Sequence, residues 1–331
     1  MIERRLIMDK KIKWGIIGLG DIAHSFAEVF SSDFAELVAV GSRTLKKAEQ
    51  FSQKYNIPKA YGNYEELYQD NEIDIVYLAT PNSFHAQDMK AILKAGKHVL
   101  CEKAITMNKK ELNDVLDIAR EKELVVAEAM TIYHMPVYET IKKRIDNGEF
   151  GQLKMATAYF GSAKEPDATN RFFNPELGGG ALLDIGVYAL SFVQYFLDSK
   201  PEDLSTLVKL YDTGVDEMST ISYHTADGTM GNVVLSFRGR LPKQGVVVCE
   251  DAYITFNDYP SADKATIIYN DKTEEVVTVG DSTLRLRYEM EHLTQMLLTG
   301  EDYSYIHLTE SVTDIMDQAS RTWGMDWVHE G

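Results

Sequence analysis

KIKWGIIGLGDIA, the stretch from Lys11 to Ala23, places an apolar run, a glycine-rich turn and a helical pattern in immediate succession. The run from Ile12 to Ile17 predicts a short buried strand, and the turn matches G-x-G-x-x-A at Gly18, Gly20 and Ala23. In this pattern Gly18 permits the tight turn and Gly20 lets backbone N–H groups approach a pyrophosphate. Ala23 lets the helix pack closely on the strand. The stretch therefore predicts a dinucleotide-binding turn.

The helix after this turn begins at Asp21 and Ile22. The first turn of a helix presents unpaired main-chain N–H groups and the positive end of the helix dipole, and both attract anions. We therefore expect Asp21 and Ile22 to contact the pyrophosphate together with the glycines. The alternative is a purely structural turn, because glycine turns between a strand and a helix are common.

Length and composition describe a globular protein of about two domains. The 331 residues are 44% hydrophobic and 26% charged, and we expect no apolar run long enough for a membrane helix. The formal charge of −17 argues against nucleic acid or an acidic membrane surface as a partner, because both must be met by clustered Lys and Arg.

The N-terminus and the two cysteines bear on location. The first ten residues, MIERRLIMDK, contain an apolar run too short for a signal-peptide core, so we interpret them as a frayed extension. Cys101 and Cys249 lie far apart in apolar runs, which predicts two reduced, buried thiols rather than a disulfide or a Cys/His metal site. We expect a cytoplasmic protein with no metal.

The end of the second predicted strand indicates which dinucleotide is bound. An NAD-selective site carries an acidic residue there, which binds the ribose 2′-hydroxyl. This chain has no carboxylate at that point and offers Ser42 and Arg43, with Lys46 and Lys47 just beyond. A hydroxyl and a guanidinium suit a 2′-phosphate, which predicts NADP rather than NAD. The alternative is an ordinary helix cap followed by a solvated arginine.

Short apolar strands alternate with helical patterns up to about residue 130, which predicts a doubly wound parallel sheet. One strand ends at Thr80-Pro81-Asn82, and the next delivers Glu102 and Lys103 to the same carboxyl edge, where ligands bind in such sheets. We expect these residues to line the cofactor site. His85, in the first turn of the following helix, faces either the cofactor or solvent.

The pattern changes from Met155 onward, where eight strand-like runs are separated by turn signals. This predicts a second, α+β domain with a large and mainly antiparallel sheet. Two amphipathic helices, about Leu284 to Leu298 and Thr309 to Trp323, close the chain. We assign residues 1–130 to a Rossmann domain and residues 131–331 to a substrate-binding domain. Because such a sheet tends to expose one face, we expect a homodimer or a higher homo-oligomer.

A second chemically distinctive stretch runs from Gly178 to Leu197. It predicts a helix that is apolar nearly all round and therefore buried. Asp184 and Tyr188 are four residues apart and share one face of it with Gly180. A buried carboxylate is costly unless it is paired, so this polar stripe indicates a functional site. The alternative is an Asp that caps a neighbouring loop and a Tyr that only packs.

Four segments together resemble a known family across essentially the whole chain. They are Gly18-Leu19-Gly20-Asp21-Ile22-Ala23, Thr80-Pro81-Asn82, Glu102-Lys103 and Gly178 to Tyr188. The chain resembles the glucose-fructose oxidoreductase and inositol dehydrogenase family, called Gfo/Idh/MocA. Many members carry His at the position of Tyr188. With Tyr there, the chain resembles the branch of dimeric dihydrodiol dehydrogenase, NADP-dependent xylose dehydrogenase and glucose-fructose oxidoreductase.

The resemblance implies that Lys103 and Tyr188 meet beside the nicotinamide and the reacting carbinol carbon. A tyrosine is a poor base at neutral pH unless its pKa of about 10 is lowered, and a nearby ammonium lowers it. The resemblance thus implies that Tyr188 is the acid/base, that Lys103 tunes it and polarises the substrate oxygen, and that Asp184 orients the substrate or Lys103.

The chain departs from the family pattern at two places. Ala104 stands where the family has a proline after the lysine, so the proline's restriction on Lys103 is missing. Thr131 and Tyr133 stand where dihydrodiol dehydrogenases carry a Trp and an Arg, which favours a sugar or another polyol over a flat dihydrodiol. Arg171 either binds substrate hydroxyls, as Tyr133 would, or only braces its loop.

These observations predict an NADP-dependent oxidoreductase that acts on a CH–OH carbon of a sugar, polyol or cyclic diol. The alternative is a non-catalytic NADP-binding sensor on the same fold.

Overall fold

The computed structural model describes residues 11–329, which form two compact units. The first unit contains the described residues up to Thr106, together with Glu111–Ala129 and Leu286–Ile306. The second contains Met107–Lys110, Met130–Arg285 and the described residues from His307. The interpretation of the first ten residues as an extension lies outside the described residues.

The first unit is built on a six-stranded parallel sheet in the order β3-β2-β1-β4-β5-β6. Its strands are β1 (Ile12–Ile17), β2 (Ala35–Gly41), β3 (Lys59–Tyr61), β4 (Ile75–Leu78), β5 (His98–Glu102) and β6 (Val126–Ala129). The order reverses between β1 and β4, so the carboxyl ends of these two strands form the crevice in which doubly wound sheets bind ligands. The predicted Rossmann fold is confirmed.

Helices cover both faces of this sheet, because its strands are apolar on both sides. They are α1 (Asp21–Val29), α2 (Leu45–Tyr55), α3 (Tyr64–Tyr68), α4 (Asn82–Lys94) and α5 (Lys109–Glu121). One core cluster includes Trp14 of β1, Phe26 of α1 and Tyr77 of β4, and a second includes Val76, Leu78 and Met89.

A helix from near the end of the chain also belongs to the first unit. Helix α8 (Arg285–Thr299) places Leu286, Met290 and Leu293 in the cluster of Trp14, and the Trp14 indole donates to Thr294 Oγ1 at 3.2 Å. The predicted boundary near residue 130 therefore marks one crossing between the units, and the chain crosses again around residues 285 and 306.

The second unit contains an eight-stranded sheet in the order β14-β13-β12-β11-β7-β10-β9-β8. Its strands are β7 (Leu153–Gly161), β8 (Glu202–Leu210), β9 (Asp216–His224), β10 (Met230–Ser236), β11 (Leu241–Cys249), β12 (Ala252–Asn257), β13 (Lys264–Tyr269) and β14 (Glu274–Thr278). Only β7 and β10 pair in parallel among these strands, so the predicted mainly antiparallel sheet is confirmed.

The inner face of this sheet packs on α7 (Val187–Leu197), which lies against β7, β10 and β11. Helices α6 (Pro136–Asp146) and α9 (Ile306–Thr322) complete the unit's regular structure. The run Pro175–Leu197 is long and apolar enough by composition to cross a membrane, contrary to our expectation, and 89% of its apolar window is buried. That burial is typical of a core helix.

Both cysteines are free and buried, as predicted. Cys101 lies in β5 and Cys249 in β11, and burial raises the pKa of both thiols. Neither thiol is therefore activated as a nucleophile.

Candidate active site

The glycine turn after β1 has the geometry of an anion cradle. Gly18 has φ +80°, and a Cβ there would lie 2.3 Å from the carbonyl carbon of Ala79, so only glycine fits where β1 meets the end of β4. A Cβ on Gly20 would meet no atom within 4 Å. Gly20 is the N-cap of α1, and no described side chain caps this helix. The amides at Asp21 and Ile22 thus begin a helix beside open space, which fits a pyrophosphate.

Ser42 and Arg43 follow β2 directly, at the carboxyl edge of the sheet. Ser42 is buried and its N–H donates to the Tyr61 carbonyl of β3 at 3.1 Å, whereas Arg43 is exposed. Burial raises the pKa of Tyr64, the Asp88 carboxylate adds to the rise, and the Arg43 charge opposes it. Arg43 therefore acts close to Tyr64 at the start of α3. Its exposed guanidinium suits a phosphate.

The loop after β4 is anchored before it reaches the helix. Thr80 Oγ1 donates to Asp88 Oδ2 at 2.8 Å, which ties the loop to α4, and burial raises the pKa of Asp88. Pro81 is the N-cap residue, and the helix begins at Asn82. The anchored loop carries Thr80, Pro81 and Asn82 at the carboxyl end of the strand beside β1.

His85 lies in neither of the environments that the sequence left open. Its ring is fully buried between two loops, with Nδ1 3.0 Å from the Ala104 carbonyl oxygen and Nε2 2.7 Å from the Thr80 carbonyl oxygen. Burial lowers the pKa of His85, the two carbonyls oppose that shift, and the Lys103 charge adds to it. Since carbonyls only accept and a neutral imidazole carries a single N–H, the ring donates to one of these two carbonyls and lies against the other.

The turn after β5 carries Glu102 and Lys103. Glu102 Oε1 accepts from the Tyr77 hydroxyl, and Oε2 accepts from the Lys103 N–H at 3.3 Å. The Lys103–Ala104 peptide bond is cis. His85 contacts the Ala104 carbonyl, and the next N–H, at Ile105, donates to Glu128 Oε1 at 3.0 Å. Both polar groups of the Ala104–Ile105 peptide are thus hydrogen-bonded, which restrains the segment where the family has a proline.

Asp184 and Tyr188 lie at the start of the buried helix in the second unit. A π-helical turn over Leu182–Gly186 leads directly into α7. Asp184 and Tyr188 are partly exposed, whereas their neighbours in the sequence, Leu183, Ile185, Val187 and Ala189, are buried. Asp184 and Tyr188 are thus the two partly exposed positions of this helical segment, whereas Gly180, which the spacing places on the same face, is buried.

Arg171 and Phe160 flank these two residues within the same unit. Arg171 Nη2 lies 3.8 Å from Asp184 Oδ1, and the guanidinium stacks 4.3 Å from the centroid of the Phe172 ring. The Phe160 ring centroid lies 6.3 Å from that of Tyr188. Arg171 therefore contacts both its own loop and Asp184.

Tyr133 lies in the core of the second unit. Its ring is 2% exposed, and its hydroxyl donates to Ser191 Oγ of α7 at 3.0 Å. Thr131 is also buried and donates to the Pro260 carbonyl. We therefore do not carry Tyr133 into the proposed set of substrate residues.

Asp216 is the carboxylate that sequence reasoning missed. We expected Asp184 to be the costly buried acid, but its side chain is 19% exposed, and Asp216 at the start of β9 is fully buried. Burial raises the pKa of Asp216 to about 7, and main-chain N–H groups, that of Leu182 first, oppose the shift. The only signal in the sequence is an acidic pair after Val215, which does not reveal a partner 34 residues away.

The structure thus assembles the predicted residues in two separate sets. The first unit holds the glycine turn, the pair Ser42 and Arg43, the Thr80 loop and the Lys103 turn. The second holds Asp184, Tyr188 and Arg171.

Comparison with family models identifies both parts of the chain. Residues 12–130 match a model described as an oxidoreductase family with an NAD-binding Rossmann fold. Residues 138–255 match the GFO/IDH/MocA C-terminal domain.

Relatives named trans-1,2-dihydrobenzene-1,2-diol dehydrogenase match nearly the full length. The protein from Xenopus laevis is 34% identical over 95% of this chain and 98% of its own. The protein from Danio rerio is 32% identical over 95% and 97%.

Solved structures share the fold at low sequence identity. An NAD-binding oxidoreductase from Klebsiella pneumoniae has a TM-score of 0.85 at 19% identity, covering 95% of this chain and 97% of its own. The 3-ketoreductase KijD10 from Actinomadura kijaniata, in complex with NADP and TDP-benzene, has a TM-score of 0.82 at 23% identity, covering 95% and 98%. A levoglucosan dehydrogenase in complex with NADH and levoglucosan has a TM-score of 0.84 at 18% identity, covering 96% and 98%.

Proposed function

This chain belongs to the Gfo/Idh/MocA oxidoreductase family, and we propose that it transfers hydride between NADP and a CH–OH carbon of a sugar, polyol or cyclic diol. The observation that carries the proposal is the accessible pair Asp184 and Tyr188 on an otherwise buried helix. A carboxylate and a phenol held on one face supply an acceptor for a hydroxyl and a group that exchanges its proton.

We propose that Tyr188 is the acid/base. Oxidation of an alcohol requires loss of the hydroxyl proton, and the phenolate oxygen of Tyr188 accepts it. Lys103 stabilises this phenolate with its ammonium charge and polarises the substrate oxygen. In the reductive direction the Tyr188 hydroxyl returns the proton to the forming alkoxide.

Asp184 and Arg171 orient the substrate in this proposal. The Asp184 carboxylate accepts from a substrate hydroxyl, and Arg171, 3.8 Å away, donates to a second oxygen. Neighbouring hydroxyls are common to sugars, polyols and 1,2-diols, so an acceptor beside a donor suits this class. The half-buried position of Asp184 limits competition from water.

The cofactor contacts are assigned to the first unit. When bound, NADP supplies the nicotinamide carbon that accepts or gives the hydride. The open N-terminus of α1 at Gly20 holds the pyrophosphate, and Ser42 with the exposed Arg43 binds the 2′-phosphate. The same carboxyl edge carries Thr80, Pro81, Asn82 and Glu102. The His85 ring lies between the Thr80 and Ala104 carbonyls and supports the two loops.

The test is a panel of aldoses, inositols and vicinal diols assayed with NADP and with NAD, following the absorbance of the reduced nicotinamide. We expect turnover with at least one class and a preference for NADP. Cofactor binding is measured in parallel by fluorescence. Tight NADP binding without turnover of any compound in the panel would contradict the proposal and identify a sensor.

We also propose that the enzyme is a cytoplasmic homodimer formed through the outer face of the eight-stranded sheet. This face exposes Leu207, Met218, Met230, Tyr253 and Val276, although α7 covers the opposite face. Cross-strand pairs place them on one surface, since Leu207 opposes Thr220 and Met230 opposes His224, both on the outward side of β9. A second copy would bury this apolar surface.

A further inference from the structure

Asp216 supports the first turn of the helix that carries Asp184 and Tyr188. Its Oδ2 accepts from the Leu182 N–H at 2.9 Å, across 34 residues of sequence. Leu182 begins the π-helical turn that runs into α7, and the Val187 N–H donates back to the Leu182 carbonyl. The contact therefore holds the first residue of the turn that carries Asp184 and leads to Tyr188.

Gly180 makes room for this carboxyl group. It has φ +111°, and a Cβ there would lie 2.4 Å from Asp216 Oδ1. The glycine and the acid are thus fitted to one another at the helix start. Oδ1 has no hydrogen-bond partner among the described residues, so one carboxyl oxygen is buried and unsatisfied. Such an oxygen is costly, and natural proteins keep few of them.

The neighbouring charges on the packed elements are engaged elsewhere. On the helix side, Asp184 lies near Arg171. On the strand side, Glu217 pairs with Lys209 of β8 at 2.8 Å and with Arg238 after β10 at 3.2 Å. Burial accordingly raises the pKa of Asp216, and hydrogen bonds from main-chain amides oppose this rise. No side-chain charge contributes to the shift.

We propose that Asp216 is a positioning residue for the acid/base Tyr188, acting through the Leu182 amide and the helix start. A carboxylate accepts this hydrogen bond more strongly than a neutral carboxyl group, and it faces the positive end of the helix dipole. Loss of the proton therefore tightens the helix start, and turnover rises with pH through the ionisation of Asp216. The role in turnover rests on the proposed function, whereas the hold on the helix start does not.

The test compares Asp216→Asn and Asp216→Ala in the full chain. Asn keeps the size and one acceptor for Leu182 but stays neutral, so we expect it to fold, bind NADP normally and lose the rise in kcat near pH 7. Ala removes the acceptor, and we expect kcat to fall by about tenfold to a hundredfold. Amide exchange should accelerate in residues 180–188 in the Ala variant and return towards the wild-type rate in the Asn variant.

Glu217→Gln is the matched control, because this neighbouring buried acid has its own cationic partners. We expect it to lower stability and to leave the pH profile and the exchange of residues 180–188 unchanged. Unchanged kcat and exchange in Asp216→Ala would overturn the proposal, as would a wild-type pH profile in Asp216→Asn. If the Asp216→Ala variant does not fold, the pH profile of kcat and the amide exchange of Asp216→Asn test the proposal. Should the wild type show no turnover at all, the exchange result still decides the hold on the helix start, and only the proposed function fails.

Discussion

We propose that Arg43 selects NADP, because it stands where an NAD site carries a carboxylate. Arg43→Ala should weaken NADP binding by about ten- to a hundredfold, the range expected when a charge-assisted hydrogen bond is lost, with little effect on NAD. Fluorescence titration with both cofactors measures this. Arg120→Ala, which removes an exposed arginine paired with Asp117, is the charge control. Equal losses for NADP and NAD would show that Arg43 does not contact the 2′-phosphate.

At the scale of residues, the sequence indicates those whose proposed role follows from local order. Ser42 and Arg43 follow from the end of a strand, and Asp184 and Tyr188 follow from helical spacing. His85 and Asp216 were misjudged or missed because their roles depend on contacts 19 and 34 residues away. Burial of a polar side chain is a property of the packed chain, and local pattern does not report it.

At the scale of elements, we expect the two glycines of the turn between β1 and α1 to differ in what they are needed for: Gly18 for the fold and Gly20 for cofactor binding. Gly18→Ala should destabilise the protein by about 2 kcal/mol or more, because its Cβ would overlap the Ala79 backbone at a positive φ. Gly20→Ala should leave the unfolding free energy within about 1 kcal/mol but weaken NADP binding, because its Cβ enters only open space. Denaturant unfolding and cofactor titration distinguish the two variants. A Gly20→Ala protein that binds NADP normally would remove this turn from the cofactor site.

The regular elements were largely predictable, since apolar periodicity reports burial on one or both faces. The eight strand-like runs predicted from Met155 onward correspond to the eight strands of the second sheet. Strand β3, with only Lys59–Tyr61, was missed because three partly buried residues are too few to show an alternation of apolar and polar side chains. Helix α8 belongs to the first unit, although its residues were assigned to the second domain, because its apolar face does not reveal which core it joins.

At the scale of the molecule, the outer face of the eight-stranded sheet predicts the oligomeric state. Leu207 is the most exposed large hydrophobic residue of this face, at 75%. Leu207→Lys should shift the protein from dimer to monomer in light scattering, because a charge would be buried at the interface. Phe34→Lys, at an exposed position in the first unit, is the control. A dimer that survives Leu207→Lys unchanged would exclude this face.

The proposed reaction depends on Tyr188 exchanging the proton of the reacting hydroxyl. The most direct measurement is the rate of reduced-nicotinamide formation by Tyr188→Phe, with NADP binding measured in the same preparation. Tyr195→Phe, the same change further along α7, is the control and should retain turnover. We expect Tyr188→Phe to bind NADP as the wild type does and to lose about a hundredfold or more in kcat, the usual contribution of a general acid/base. Near-normal turnover by Tyr188→Phe with intact NADP binding would contradict the assignment.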